Sequence, residues 1–351
     1  MKKELLIASA LTASLGMAGV AEAGANVSYS GSVTRGVTQD SLGGGGANSH
    51  TAVTTGELSF AVDQTTDSGI KWSTSLSVVD EGSPEGDPGG FTLTFTDGST
   101  LDLIEAGSAF GGAIASIPSA GGSQGITNTS TNNAPGDLDW ADASDAVGFD
   151  WGSGEDFAGV EGLTVGVSAA FGNDTYTANS SGAETTYSAG LTYEMDAGET
   201  EITVGAGMIQ ATTDNNVALN SKGSSAAVSI SAVTGNLTLG AGYSSGSGTA
   251  AKTPDVEIDG VTWAEAGASY VVDDMTLTIS SGAGKAADST ALGTAGASSD
   301  ETRNVSGSVA YTIADGISAT FGYTDVDNTD EASSVAGNSG SSWYIGATVS
   351  F

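Results

Sequence analysis

Four aspartates lie close together at the end of the longest stretch that lacks a regular hydrophobic pattern. Asp137, Asp139 and Asp142 fall within residues 109–143, Asp145 follows directly, and no Lys or Arg interrupts the stretch. Carboxylates at a narrow, water-filled passage attract cations and oppose anions. On an open loop the same residues would be hydrated charges, or would cap a short helix. The elements on either side of the stretch decide between these interpretations.

Other acidic residues could hold Ca²⁺, which prefers carboxylate and carbonyl oxygens as ligands. The candidates are Asp87 and a group near the end of the chain, Asp325, Asp327, Asp330 and Glu331. Their spacing does not match the ligand positions of an EF-hand loop. We therefore predict no cofactor, with Ca²⁺ in these loops as the open alternative.

The residue types needed for hydrolytic catalysis are missing from the chain. There is no Cys, and the one His, His50, stands beside a Gly-rich stretch. A nucleophilic Ser needs a base next to it, and no zinc motif or phosphate-binding loop is present. The absence of Cys also excludes disulfides. The sequence therefore predicts a protein that is not an enzyme.

The charge balance restricts the partners. The chain has 42 Asp and Glu against 8 Lys and Arg, a net charge of −34. Nucleic acid is excluded because phosphate binding needs a basic surface. An acidic surface favours cations, although solubility or a saline habitat would explain the same composition. With 53 Gly and only 38% hydrophobic residues, a large conventional core is not expected.

The first 23 residues have the features of a secretory signal peptide. Lys2 and Lys3 form the positive start, residues 5–20 are apolar and small, and residues 21–23 (AEA) form a cleavage site. The interruption of the apolar run by Ser and Thr argues against a membrane anchor. We therefore predict that the protein is exported and that residues 24–351 form the mature domain.

Most of the mature chain alternates apolar and polar residues with period two, the pattern of β-strands. Within residues 163–171, for example, Leu163 and Val165 share one face, whereas Thr164 and Ser168 share the other. Sixteen such segments occur, and many are about ten residues long, the length that a tilted strand needs to cross a bilayer.

Short turns alternate with long polar connections along the chain. Tight turns rich in Gly, Asn and Asp, which accept positive φ, are predicted at residues 96–99, 196–198, 234–236, 273–274 and 314–316. The long connections are predicted at residues 38–50, 79–90, 109–143, 173–184, 212–223, 247–258, 285–301 and 327–340. Membrane barrels have this alternation, with short turns at the periplasmic end. We therefore predict an all-β, transmembrane, antiparallel barrel of sixteen strands.

Three segments carry a resemblance to a known family. They are residues 27–37 at the first strand, residues 91–107 (FTLTFTDGSTLDLIEAG) and the last strand, WYIGATVSF, which ends in Phe351. Together they resemble the first strand, the hairpin before the constriction loop and the terminal strand of general Gram-negative porins, especially the alphaproteobacterial type.

The resemblance implies an outer-membrane channel for passive diffusion of small hydrophilic solutes and ions. It also implies that residues 109–143 fold into the barrel as a constriction loop. It further implies that the subunits form a homotrimer and that the insertion machinery recognises Phe351. Family channels usually set a row of Arg against this loop. The mature chain departs from that pattern, since its only basic residues are Arg35, Lys71, Lys222, Lys252, Lys285 and Arg303.

Side-chain parity assigns further charges to the channel wall. Glu57, Glu201, Glu265 and Lys71 fall on the polar faces of their strands, whereas Arg35 is in phase with apolar neighbours and needs a bulge to point inward. The predicted pore-lining set is Asp137, Asp139, Asp142, Asp145, Lys71, Arg35, Glu57 and Glu265.

Aromatic residues near strand ends are expected to point outward and to mark the two membrane interfaces. They are Tyr29, Trp72, Phe171, Tyr187, Tyr193, Tyr243, Tyr270, Tyr311, Tyr323 and Trp343.

The function predicted from these features is a diffusion channel that prefers cations. The alternative is a secreted, acidic, Ca²⁺-binding surface protein or adhesin, which would share the composition. Such a protein has no reason to alternate short and long connections or to end on an aromatic strand.

Overall fold

The structure is a computed structural model that describes residues 25–40, 49–79, 87–103, 108–120, 147–171, 185–215, 219–250, 256–286, 300–329 and 340–351. Sixteen strands form one closed barrel, in which each strand pairs antiparallel with its neighbours in sequence and the first pairs with the last. The predicted fold class is confirmed. Among the described residues, no helix is long and apolar enough to cross a membrane.

The strands are β1 (Asn26–Asp40), β2 (Ser49–Thr65), β3 (Lys71–Val79), β4 (Asp87–Thr94), β5 (Thr100–Leu103), β6 (Val147–Gly152), β7 (Leu163–Phe171), β8 (Thr185–Ala197), β9 (Thr200–Asn215), β10 (Leu219–Thr234), β11 (Leu237–Ala250), β12 (Val256–Val272), β13 (Met275–Ala286), β14 (Asp300–Ala314), β15 (Ile317–Thr329) and β16 (Gly340–Ser350). A short helix, α1 (Ala109–Ala113), lies between β5 and β6, and a 3-10 turn (Phe157–Gly159) lies between β6 and β7.

Strand register separates an inward from an outward face around the whole barrel. Residues directly opposite each other on neighbouring strands share a face. Gly267 marks the inward face, because it contacts Pro118 in the connection between β5 and β6, which enters the barrel. Gly267 pairs with Ser280, Ser280 with Ser306, and the row continues through Thr324 to Ser342. The inward face is therefore polar and small.

The outward face is apolar and exposed, as a lipid-facing surface requires. Met208, Ile279 and Val228 are 63%, 58% and 56% exposed. All ten aromatic residues predicted to mark the interfaces project outward by register. The side-chain directions predicted for them from the alternation along each strand are therefore confirmed.

The five tight turns lie where they were predicted. Gly198, Gly235 and Gly316 have φ of 73°, 56° and 71°, conformations that glycine adopts without strain. In the turn after β4, the Ser99 hydroxyl and amide donate to Asp97 Oδ1 at 2.7 and 3.0 Å. These hydrogen bonds hold the pKa of the Asp97 carboxyl below its usual value.

Several strands extend further than the hydrophobic pattern predicted. A long connection was predicted at residues 212–223, but β9 continues to Asn215 and β10 already begins at Leu219. His50, expected in a loop, lies in β2 with its ring 6.1 Å from that of Trp343. The reason is that backbone pairing continues beyond the bilayer, where outward side chains no longer need to be apolar.

The C-terminal residue completes the seam between β16 and β1. The Gly31 amide donates to the Phe351 carbonyl and the Phe351 amide donates to the Gly31 carbonyl, both at 3.0 Å. A Cβ built on Gly31 would lie 2.6 Å from Phe351 Cζ, so the ring covers this glycine. Phe351 therefore closes the hydrogen-bond ladder, whatever else it signals.

Deleting Phe351 should destabilise the folded barrel. It removes two backbone hydrogen bonds, each worth about 0.5–1.5 kcal/mol net, and leaves unpaired groups at the seam. We expect a lower unfolding temperature in detergent, followed by circular dichroism. The matched variant Phe351→Leu keeps both backbone hydrogen bonds and an apolar side chain, so its unfolding temperature should fall much less. Equal decreases in unfolding temperature in the two variants would contradict the stabilising role of the Phe351 backbone hydrogen bonds.

Candidate functional site: the channel and its inner segment

The connection between β5 and β6 enters the barrel. Its described part, residues 108–120, begins with α1, which Ser108 caps by accepting a hydrogen bond from the Gly111 amide. The segment then runs along the inner wall from β7 to β13. Three residues of the segment, Ala109, Phe110 and Ala113, are buried where it packs against the wall. The described part of the predicted constriction loop thus lies inside the barrel.

Serine hydroxyls on the wall accept hydrogen bonds from this inner segment. The Ala109 amide donates to Ser168 at 3.1 Å and the Phe110 amide donates to Ser188 at 3.1 Å. Further along, the amides of Ala115 and Ala120 donate to Ser229 at 2.7 Å and to Ser280 at 3.0 Å. Amides that the segment would otherwise leave unpaired in its buried contact are satisfied in this way.

Glycines on the same strands allow the segment to approach the wall closely. A Cβ built on Gly205 would overlap the carbonyl oxygen of Ala113, and one built on Gly267 would overlap that of Pro118. We call the inward glycines beneath the segment the glycine track: Gly166, Gly190, Gly205, Gly207, Gly240, Gly242 and Gly267. Sequence parity places these residues inward, but nothing local in the sequence indicates that another segment covers them.

The four aspartates predicted to line the constriction, Asp137, Asp139, Asp142 and Asp145, lie outside the described residues. Their place at the constriction remains a prediction.

Other residues of the predicted set lie on the inward face. Glu57 pairs in register with inward Ser32, and Glu265 precedes Gly267 by two positions on an unbroken stretch of β12. Lys71 is inward as well, and its Nζ lies 3.5 Å from Asp63 Oδ2.

Five inward carboxylates were missed by the sequence analysis: Asp63, Asp102, Asp150, Glu194 and Asp196. Asp102 on β5 and Asp150 on β6 are directly opposite each other, and one oxygen of Asp102 is buried without a described hydrogen-bond partner. Asp150 also lines a space of about 280 Å³ beneath α1, together with Thr164 and Thr192. The alternation of Asp102 with Leu101 and Leu103 was a usable signal for its direction.

Two aromatic side chains lie flat against the inner wall. The Trp263 ring covers Gly282 and Gly284 on β13, and its Nε1–H donates to Glu265 Oε2 at 3.3 Å. Tyr344 is fully buried over Gly36 and Gly346, where a Cβ on either glycine would meet its ring. Trp263 therefore helps to orient the Glu265 carboxylate along the wall.

The prediction that Arg35 lines the channel is wrong. β1 has no bulge, and Arg35 lies opposite Thr54 on β2 and Ala347 on β16, both on the outward face. Its Nη1 donates to the carbonyls of Thr34 and Thr55 at 2.8 and 3.0 Å. Strict alternation along a strand without a bulge is the physical reason.

Other basic side chains also point outward. Lys285 and Arg303 project from the outer surface of β13 and β14, and both contact Glu301, Arg303 at 3.7 Å. They are therefore separated from the channel by the barrel wall.

No group of three or more His, Asp or Glu among the described residues is arranged to hold a metal ion. Of the Ca²⁺ candidates, Asp325 and Asp327 project outward from β15. Asp330, Glu331 and the side chain of Asp87 lie outside the described part, so Ca²⁺ binding in the outer loops stays a prediction.

The family model described as "Gram-negative porin" matches residues 8–331. The chain belongs to this family. As a Gram-negative porin, it forms an outer-membrane channel for passive diffusion, and the alternative of a secreted adhesin is set aside. No curated protein matches the chain.

Solved porin structures share the fold of this porin. OmpF of Salmonella typhi, in complex with daunomycin, has a TM-score of 0.68 at 14% identity, covering 93% of this chain and 98% of its own. The anion-selective porin from Comamonas acidovorans has a TM-score of 0.66 at 14% identity, with 93% and 100% covered. The trimer form of OmpT from Vibrio cholerae has a TM-score of 0.63 at 12% identity, with 94% and 100% covered.

Methyl groups on the glycine track should change the conductance of the porin. In the double variant Gly205→Ala and Gly267→Ala, both new Cβ atoms need space held by the carbonyls of the inner segment. The segment should shift towards the channel axis, so single-channel conductance should fall. Gly307→Ala is the matched control, because it faces outward and its Cβ would be 3.9 Å from the nearest atom. Unchanged conductance in a folded double variant would show that the segment does not narrow the channel.

Proposed function

We propose that this porin passes small cations in preference to anions. The observation that carries the proposal is the excess of acidic over basic side chains on the inward face of the barrel. Among the side chains that the structure describes, the inward acidic residues are Glu57, Asp63, Asp102, Asp150, Glu194, Asp196, Glu201 and Glu265. Lys71 is the one inward cation among them, and Asp63 lies beside it.

The acidic wall acts on ions by raising the local concentration of cations and lowering that of anions. Carboxylates facing a water-filled channel stay hydrated, so they need no buried partner to remain charged. The effect is screened within about 10 Å at 0.1 M salt and about 3 Å at 1 M. A charge matters most where the channel is narrower than that length.

The inner segment supports the same polarity. Residues 109–143 contain no Lys or Arg, and Asp137, Asp139 and Asp142 belong to the same connection. The relative from Comamonas acidovorans is described as anion-selective, so the shared fold does not set the sign. The residues on the wall and the loop must set it.

We also propose a homotrimer. The supporting observation is that OmpT of Vibrio cholerae, a structural relative, is described in a trimer form.

Neutralising the wall should weaken cation preference. For the wild type we expect the reversal potential under a KCl gradient to indicate a preference for K⁺. This preference should be stronger at low salt, because screening is weaker there. We expect the reversal potential to lie closer to that of an unselective channel in the quadruple variant Glu57→Gln, Asp102→Asn, Asp150→Asn, Glu265→Gln. The control Glu301→Gln, Asp325→Asn removes outward charges and should leave the potential unchanged. A wild-type channel that prefers Cl⁻ would overturn the proposal.

A second variant locates the filter. If Asp137, Asp139 and Asp142 stand at the constriction, replacing all three with Asn should reduce the reversal potential at least as much as the wall variant. A reduction confined to the wall variant would place the filter on the strands, and the predicted role of the loop aspartates would be wrong.

A further inference from the structure

The turn between β6 and β7, residues 153–162, is the longest and most irregular of the short turns that the structure describes. Asp156 and Ala158 have φ of 60° and 57°, in the left-handed region that side chains rarely adopt. They are two of the three non-glycine residues with positive φ in the described part of the chain. Such conformations cost free energy and persist only where the surrounding structure holds them.

Hydrogen bonds hold the turn in this conformation. The Gly159 amide donates to the Asp156 carbonyl at 2.9 Å, and the Gly162 amide donates to Asp156 Oδ1 at 2.8 Å. The Val160 amide donates to the Phe157 carbonyl at 3.1 Å. The strained residues therefore belong to an ordered turn.

This turn differs from the other short turns in the side chains that it exposes. Phe157 and Val160 are 39% and 46% exposed. Among the short turns that the structure describes, they are the only large apolar residues that are exposed. The strained backbone thus presents two apolar side chains where turns are otherwise polar.

Phe157 lies at the outward edge of the barrel wall. Its ring packs edge-on against that of Trp151, with 6.2 Å between the ring centroids and 73° between the planes. Trp151 projects outward from β6, in one register row with Leu101, Leu93 and the interface residue Trp72. Phe157 therefore continues the aromatic level of the outward face beyond the end of the strand.

The strand that ends in this turn has little support from its neighbours. β5 and β6 are the two shortest strands, with four and six residues, and they pair with each other at only four positions. β6 also follows directly after the connection that enters the barrel. An attachment at the base of β6 would restrain the strand on which that connection ends.

We propose that Phe157 and Val160 insert into the interfacial region of the periplasmic lipid leaflet and anchor the base of β6 there. Lipid is the occupant because the two side chains continue the lipid-facing surface at the level of Trp151, where aromatic rings prefer the headgroup region. Glu155 and Glu161, in the same turn, are exposed and can stay hydrated beside the headgroups. The inference does not depend on the ion preference proposed above.

The depth of a spin label tests the insertion. The chain has no Cys, so one introduced Cys carries a nitroxide at a single place. We would compare Val160→Cys with Asp315→Cys, in the turn between β14 and β15, in vesicles of phosphatidylethanolamine and phosphatidylglycerol. Oxygen concentrates in lipid and a nickel chelate stays in water, so the ratio of their effects on power saturation reports depth.

We expect this ratio to be several-fold higher at position 160 than at position 315. Equal ratios would show that the turn lies in water and would overturn the proposal. Low accessibility to both reagents at position 160 would show that a second copy covers the turn, and would overturn it as well.

Photocrosslinking in native outer membranes includes partners that vesicles lack. p-Benzoylphenylalanine in place of Phe157 keeps an aromatic ring at the position. We expect adducts with phospholipid and no new protein band. An adduct with another protein would identify the turn as a protein-docking site and contradict the lipid anchor.

The response of stability to apolar size separates anchoring from packing inside the turn. In the same vesicles, Val160→Ser should lower the unfolding temperature and Val160→Leu should raise it, because a larger apolar side chain in lipid gains more. Glu161→Gln, in the same turn, is the control and should change it little. A decrease for both Val160 variants would contradict the anchor. All of these variants should keep the wild-type ion preference, because the turn lies outside the channel.

Discussion

The pairing of backbone N–H and C=O groups in a medium without water is the constraint on which this structure depends. Every strand pairs on both sides, and Phe351 joins β16 to β1. Because the ladder satisfies the backbone, side chains need only suit the side on which they stand. That freedom explains how a chain with 38% hydrophobic residues forms a membrane domain. Its large apolar residues mostly cover the outward face of the barrel instead of forming a core.

The inner wall uses the smallest side chains for two purposes. Glycine lets the inner segment come within contact of the strands, and serine supplies acceptors for its amides. The flat packing of Trp263 and Tyr344 on other glycines follows the same principle, since a wall without Cβ atoms accepts a ring or a backbone equally well. The high glycine content is thus a packing feature of the channel, in addition to serving the turns.

The same period of two sorts charge as well as polarity. Asp102 alternates with apolar residues and so faces the channel, whereas Arg35 occupies an apolar phase and faces outward. Among the described side chains, the inner wall carries eight carboxylates and one lysine, whereas the outer face carries both cations, such as Arg303, and acids, such as Glu301. The inner surface faces the channel, and the outer one faces whatever surrounds the barrel.

The sequence by itself determined the barrel, its strand count and the direction of most side chains, because period two and the alternation of short and long connections are local properties. It could not determine that Asp102 and Asp150 are opposite each other, or that the glycine track lies beneath the inner segment. Those relations join residues far apart in the chain, and only strand register and closure bring them together. Arg35 shows the same division: its phase was visible in the sequence, but the absence of a bulge, which settles its direction, is a property of pairing with two other strands.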